Sequence, residues 1–137
     1  MMLCNETITV YNALLNPDTG YDEYNRTVIS GVSWFCEIAS TVDGKGLTAA
    51  NKFIIRIPDN AMFNGKHYVT PKSYAEGNSP DTVFTFQEGD IIVRGIADEL
   101  NPRPADLHTK YDEVVTILGV TDNRRGKHGK HWKVVGA

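Results

Sequence analysis

Cysteine is scarce in this 137-residue chain, with Cys4 and Cys36 the only two. Two thiols are too few for a disulfide framework or a four-thiolate zinc site, and each lies beside apolar, strand-like residues, so both read as buried core thiols. Long apolar runs are lacking too. No stretch approaches the ~18 residues that a membrane-crossing helix needs. The opening MMLCNETITV sets Asn5 and Glu6 where a signal peptide carries its apolar segment. The expectation is a protein that stays inside a cell and has no membrane partner. The sequons Asn5-Glu6-Thr7 and Asn25-Arg26-Thr27 have meaning only in a secreted chain and count as coincidence. Internal repeats and low-complexity tracts are also missing.

Catalytic signatures are missing as well. Asp43-Gly44-Lys45-Gly46-Leu47-Thr48 has the look of a phosphate-binding loop. That motif, however, needs Gly where Ala39 stands, and Ser or Thr where Gly46 follows the lysine. His128 and His131, with His67 and His108 elsewhere, invite a metal reading. Zinc needs three or four converging ligands, and no Asp, Glu or Cys accompanies the pair on its C-terminal side, so solvated or phosphate-facing histidines are the better reading. No local pattern sets Cys4 or Cys36 against a base as a nucleophile. The acid pairs Asp22/Glu23, Asp98/Glu99 and Asp112/Glu113 are adjacent, and neighbours on a strand face opposite ways, so they read as solubilising charge. The chain is therefore expected to be no enzyme and to carry no metal and no cofactor.

What is present is β pattern. The length and 41% apolar content suit one domain over 1–137 with one core. Short apolar, β-branched runs are punctuated by Gly, Pro, Asn and Asp. They are Ile8–Tyr11, Thr27–Ile29 broken at Gly31, Val32–Ile38, Lys52–Ile57 ended by Pro58, a hairpin of Val83–Phe86 with Ile91–Arg94, Glu113–Val120, and Trp132–Val135 after a turn at Asp122-Asn123. Residues 59–82 hold at most one short strand at Tyr68-Val69. Prolines 102 and 104 limit the stretch around 101–107 to a helix of one or two turns. The expected fold is a small, mainly β, antiparallel barrel with long loops and at most one short helix, its core centred on Trp34, Phe53, Ile55, Ile117 and Val120.

Charge is uneven. Residues 1–122 carry nine Lys/Arg against 17 Asp/Glu, a net −8, whereas residues 123–137 carry five Lys/Arg and no acid. Such asymmetry suggests different surfaces for different partners. Arg124, Arg125, Lys127, His128, Lys130, His131 and Lys133 form a candidate basic contact loop for phosphates or an acidic protein, with Trp132 a lone aromatic for base stacking. The alternative is a hairpin tip kept soluble by charge.

In its order of strands the chain resembles the head-tail joining proteins of long-tailed phages, the head-completion or stopper class, as found in prophages of Gram-positive bacteria. Gly31–Phe35, Phe53–Ile57, Gly89–Val93 and Val115–Arg125 leading to Trp132–Val135 carry the likeness, about half the chain. Residues 59–82 and 97–110 stand out as insertions. The resemblance implies a homo-oligomeric ring in the virion neck, made in the bacterial host cytoplasm, between a portal or adaptor protein and tail proteins, touching double-stranded DNA non-specifically. It also implies a channel loop, here Thr41, Val42, Asp43, Gly44, Lys45, Gly46, Leu47 and Thr48 within an exposed connection over 41–51, that helps retain packaged DNA. Another neck or tail component, such as a tail terminator, and a free-standing nucleic-acid-binding barrel are the alternatives.

Overall fold

The computed structural model describes residues 4–43, 46–76 and 81–137, with backbone alone at 38–43 and 46–50. In chain order the elements are β1 (Glu6–Leu15), β2 (Asp22–Asp43), β3 (Gly46–Pro58), β4 (His67–Tyr68), α1 (Pro71–Glu76), β5 (Val83–Phe84), β6 (Ile91–Arg94), α2 (Pro104–Lys110), β7 (Val114–Asn123) and β8 (His131–Gly136). Six strands close an antiparallel barrel in the order β1-β2-β3-β8-β7-β6, and β6 returns to β1. Closure removes the open edges that an antiparallel sheet would otherwise leave.

The period of two explains β8, where Trp132, Val134 and Gly136 are buried and His131, Lys133 and Val135 are only half-buried. Strand β1 is buried on both faces. Ile8 and Val10 enter the barrel core, while Thr9 and Tyr11 lie under the 95–111 segment, where Thr9 Oγ1 donates to Gly95 O at 2.8 Å and Tyr11 OH to Glu99 O at 2.9 Å. That segment, with Leu107 of α2, packs on Tyr11, Ile91 and Val93 and roofs the outer wall of β1 and β6. Arg94 fastens the same seam, donating to Glu6 at 2.6 Å and Glu113 at 2.7 Å.

Gly31 does not break the second strand, as the sequence suggests; it turns it. Its φ of +88° is open to glycine at little cost, and the register passes from Thr7↔Ser30 to Glu6↔Val32 with Gly31 as the extra residue of a bulge. Beyond it β2 leaves β1 and, from Ser33, pairs with β3, so a single long strand serves two walls of the barrel.

The 83–94 hairpin does not form. β5 pairs in parallel with β4, and β6 lies between β1 and β7. The intervening Gln87–Asp90 turn is wedged against β1 by hydrogen bonds from Asn12, and Phe84 and Phe86 enter the core, where they meet Phe63, Tyr68 and Trp132. The described residues between 59 and 86 thus plug the barrel with aromatic rings, Phe63, Tyr68, Phe84 and Phe86. They include a second short helix beyond the one expected: α1 starts with Pro71 in its first turn, where a missing N–H is harmless, behind Thr70, whose Oγ1 accepts from Ser73 N at 3.3 Å.

Of the expected core residues, Ile55 and Ile117 are buried, and Trp34, Phe53 and Val120 are half-buried against the main cluster. The thiols differ from expectation: Cys4 is half-buried and Cys36 exposed. Cys36 pairs with Phe53, itself the partner of β8's last residue, Gly136, so it sits at the barrel rim where inward positions run out of opposing walls.

Candidate functional site

Strands β2 and β3 outrun the barrel. Pairing of β3 with β8 ends at Phe53↔Gly136, yet pairing of β3 with β2 continues from Glu37↔Lys52 to Asp43↔Gly46. The expected loop over 41–51 is therefore mostly ladder, with Thr41, Val42 and Asp43 on β2 and Gly46, Leu47 and Thr48 on β3; Gly44 and Lys45 lie outside the described residues. Turn-forming composition was outweighed by register, because two strands already aligned extend their ladder one residue at a time. At about 3.3 Å per residue the ribbon projects roughly 20 Å. Its residues Ile38–Asp43 and Gly46–Asn51 are paired in the ladders only with each other. Both ribbon edges thus offer backbone donors and acceptors for a further strand.

The basic loop joins β7 to β8, later than the Asp122-Asn123 turn read from sequence, because β7 runs through Asn123. Its seven candidate residues do not act alike. Arg124 is tied down: Nη2 bonds Asp122 at 2.7 Å, and the guanidinium lies 4.4 Å from the Trp132 ring centroid and 4.9 Å from that of Tyr68, capping the aromatic plug. This guanidinium holds the Asp122 carboxyl below its ordinary range. Arg125, Lys127, His128 and Lys130 are exposed, and a polar cleft of about 480 Å³ separates Lys127–Lys130 from Pro58–Asn60. His131 is held within the loop, its Nδ1 2.6 Å from Gly129 O and its Nε2 3.4 Å from Asn123 Nδ2. Lys133 stands apart on the wall, in register with Arg56 and Thr121. Trp132 is 2% exposed, so its ring belongs to the core and offers no face to a base.

Sequence reasoning missed a buried polar cluster at the base of the plug. Asn12 Nδ2 donates to Thr85 O at 2.7 Å and to Asp90 Oδ2 at 2.9 Å, Thr85 N donates to Asn12 Oδ1 at 3.2 Å, and Ala13 N donates to Asp90 Oδ1 at 3.1 Å. Burial raises the Asp90 carboxyl to about 6, against the lowering effect of the bonds from Asn12 and Ala13. An Asn amid the apolar run of β1 was the available signal, since a polar group at a core position needs a buried partner.

A second neglected feature is a bare wall. Outward positions Phe35, Ile54 and Val135 are successive register partners across β2, β3 and β8. Leu118, the extra residue between Ile117 and Gly119, stands beside Val135. Phe35 and Leu118 are each 53% exposed. Strict alternation hid this row, because the bulge at Leu118 shifts the facing of β7.

A family model described as a family of unknown function (DUF6751) matches residues 3–137. No curated protein and no solved structure matches the chain.

Proposed function

The chain belongs to the DUF6751 family, and we propose that it is a non-enzymatic structural protein of the phage head-tail interface, a ring subunit that joins head to tail and helps retain packaged DNA. The observation that carries this reading is the β2–β3 ribbon on a closed barrel. A plugged barrel offers a rigid body, and a paired two-stranded arm extending roughly 20 Å beyond it reaches where a loop of the same length would not hold a shape. A pair of strands alone is marginal in water and gains by lying against neighbours, as it would in a ring of such arms around a channel.

The resemblance in strand order supplies the location. The four quoted segments fall on the Gly31 corner and the Ser33–Phe35 stretch of β2, on β3, on β6 with its preceding turn, and on β7 and β8 with the start of their loop. The exposed cations of the 125–130 loop would then meet DNA phosphates or an acidic neighbour such as a portal, adaptor or tail protein. The free-standing nucleic-acid barrel has less behind it, since its stacking aromatic, Trp132, is internal.

The test is location. Particles purified from a host in which this chain bears a small epitope tag should show the tag by electron microscopy as one cluster at the head-tail junction. Tag absent from particles, or spread over the capsid or along the tail, would overturn the reading.

A further inference from the structure

We propose that the cleft shared by Arg26 of β2, Lys66 and Ile96 is a binding site for an organic anion, a carboxylate on an apolar body. The inference is independent of the ring reading above, which is judged by location in particles.

The site starts from a strand edge left without a strand. Strand β2 pairs with β1 on one side up to Val32 and with β3 on the other only from Ser33, so the far edge of residues 24–30 has no ladder. Single contacts stand in for it. Ser30 and Met62 exchange backbone bonds at 3.0 and 2.9 Å, Asn64 Nδ2 donates to Val28 O at 2.8 Å, and Lys66 Nζ donates to Arg26 O at 2.6 Å and to Thr27 Oγ1 at 3.0 Å. The turn that sets Phe63 beside Lys66 has Asn64 and Gly65 at φ of +54° and +82° and is closed by Lys66 N donating to Phe63 O at 3.2 Å. Because the N–H and C=O of one strand residue point the same way, the N–H groups of Arg26 and Val28 face this edge as well.

A cleft of about 370 Å³ lies along that edge, lined by Arg26, Val28, Phe63, Asn64, Lys66 and Ile96, a size at the lower end of small-molecule sites. Two cations share it without a closely paired carboxylate. Both bonds of the half-buried Lys66 ammonium go to neutral oxygens, which leaves one of its donors spare, and among the described residues no acid forms an ion pair with it. Arg26 spends Nε on Ala97 O, and its one acidic partner, Asp98, stands 3.8 Å away on a side chain 90% exposed, beyond hydrogen-bond reach. Burial lowers the Lys66 pKa; the charge of Asp81 works against that and the charge of Arg26 works with it, as befits two cations held in one partly dry cleft. A carboxylate bound there would offset their repulsion and accept from the spare donors. Phe63, Val28 and the 61% exposed Ile96 offer apolar surface to the rest of the ligand.

Hexanoate is the probe, titrated at constant ionic strength into the full chain and followed by amide NMR shifts. Saturating shifts at Arg26, Val28, Lys66 and Ile96 are expected below about 10 mM, a weak but specific affinity. Acetate should bind about tenfold more weakly, for want of buried methylenes, and hexanol by a similar factor, for want of charge. Two variants probe the site. Lys66→Gln can still donate but carries no cation, and Ile96→Glu, at an exposed position, supplies a carboxylate that competes for the same cations. Each should weaken hexanoate about tenfold while keeping the dispersed spectrum of the folded chain. Shifts that never saturate, that centre on the 125–130 loop, or that acetate or hexanol reproduces at the same concentration overturn the site, as does undiminished binding by the folded Ile96→Glu chain.

Discussion

Asn12 and Asp90 meet inside the protein, the amide Nδ2 of one donating to the carboxylate Oδ2 of the other at 2.9 Å, with both residues buried. Among the described residues no cation forms an ion pair with Asp90. The carboxylate is held by amide and backbone donors that only partly replace water, and burial therefore raises its pKa to about 6 from the ordinary 3.8.

The consequence is an inverted pH dependence. A carboxyl whose pKa is raised on folding contributes stability that is fully present below about pH 4 and is lost as pH rises through about 6. The difference between the two limits is about 3 kcal/mol at 1.36 kcal/mol per unit. Glu6, Glu99 and Asp122 are lowered, by Arg94, by Lys110 and Tyr111, and by Arg124 respectively, so their contributions are lost only as pH falls below the ordinary carboxylate range. Urea denaturation should thus give a higher midpoint at pH 5 than at pH 7, and Asp90→Asn should flatten that difference. A wild-type midpoint that falls between pH 7 and pH 5 would contradict it.

Two glycines should resist alanine for different reasons. At Gly31 an added Cβ meets nothing closer than Ala61 Cα at 4.0 Å, but φ is +88°, so Gly31→Ala should cost about 1–2 kcal/mol through backbone strain alone. At Gly136 the same atom would sit 2.8 Å from Val115 Cγ2 and 3.0 Å from Thr116 O, an overpacking that should cost about 1–3 kcal/mol. Pairing Gly136→Ala with Val115→Ala, which removes the clashing methyl, should give a double mutant more stable than the sum of the two single changes predicts; the corresponding Gly31→Ala, Ala61→Gly pair should show no such coupling in denaturation curves.

Neighbours on β7 should differ sharply. Ile117 is 1% exposed in the main cluster, and Ile117→Ala should cost about 2–5 kcal/mol. Leu118→Ser should stay within about 0.5 kcal/mol, because its side chain lies outside the core at 53% exposure. Equal losses in thermal or chemical denaturation would mean that the bulge at Leu118 is misplaced.

The barrel and its strands were legible because the alternation of Phe53, Ile55 and Ile57, and the runs at Ile91 and Val115, record one buried face. Three things were not. The path at Gly31 depends on which strand each half of β2 pairs with, and a glycine among apolar residues reads equally as a break or a corner. The 41–51 ribbon reads as loop because Thr, Asp and Gly are turn formers, whereas its pairing is inherited from Trp34↔Ile55 and Cys36↔Phe53 below it. Burial of Asp90 and Trp132 is a long-range outcome: Asp90 meets Asn12, 78 positions away, and Trp132 meets Tyr68 at 4.7 Å between ring centroids. Of the candidate sites, the sequence marked the ribbon and the basic loop by position, and it carried no sign of the row of Phe35, Ile54, Val135 and Leu118, which exists only through register across four strands.

The role in DNA retention is tested most directly by shortening the ribbon. Replacing Thr41–Thr48 by an Asn-Gly turn joins the register partners Ser40 and Ala49 with the two-residue connection that hairpins favour. Barrel stability should change by no more than about 0.5 kcal/mol, because the removed rungs pair with no other strand of the barrel. The measurement is the DNA content of particles assembled with the shortened chain, by quantitative PCR of nuclease-protected genomes. Heads that package DNA and then lose most of it, with the shortened chain still present at the neck, are the predicted result; particles that keep their full genome would contradict a role for the ribbon in retention.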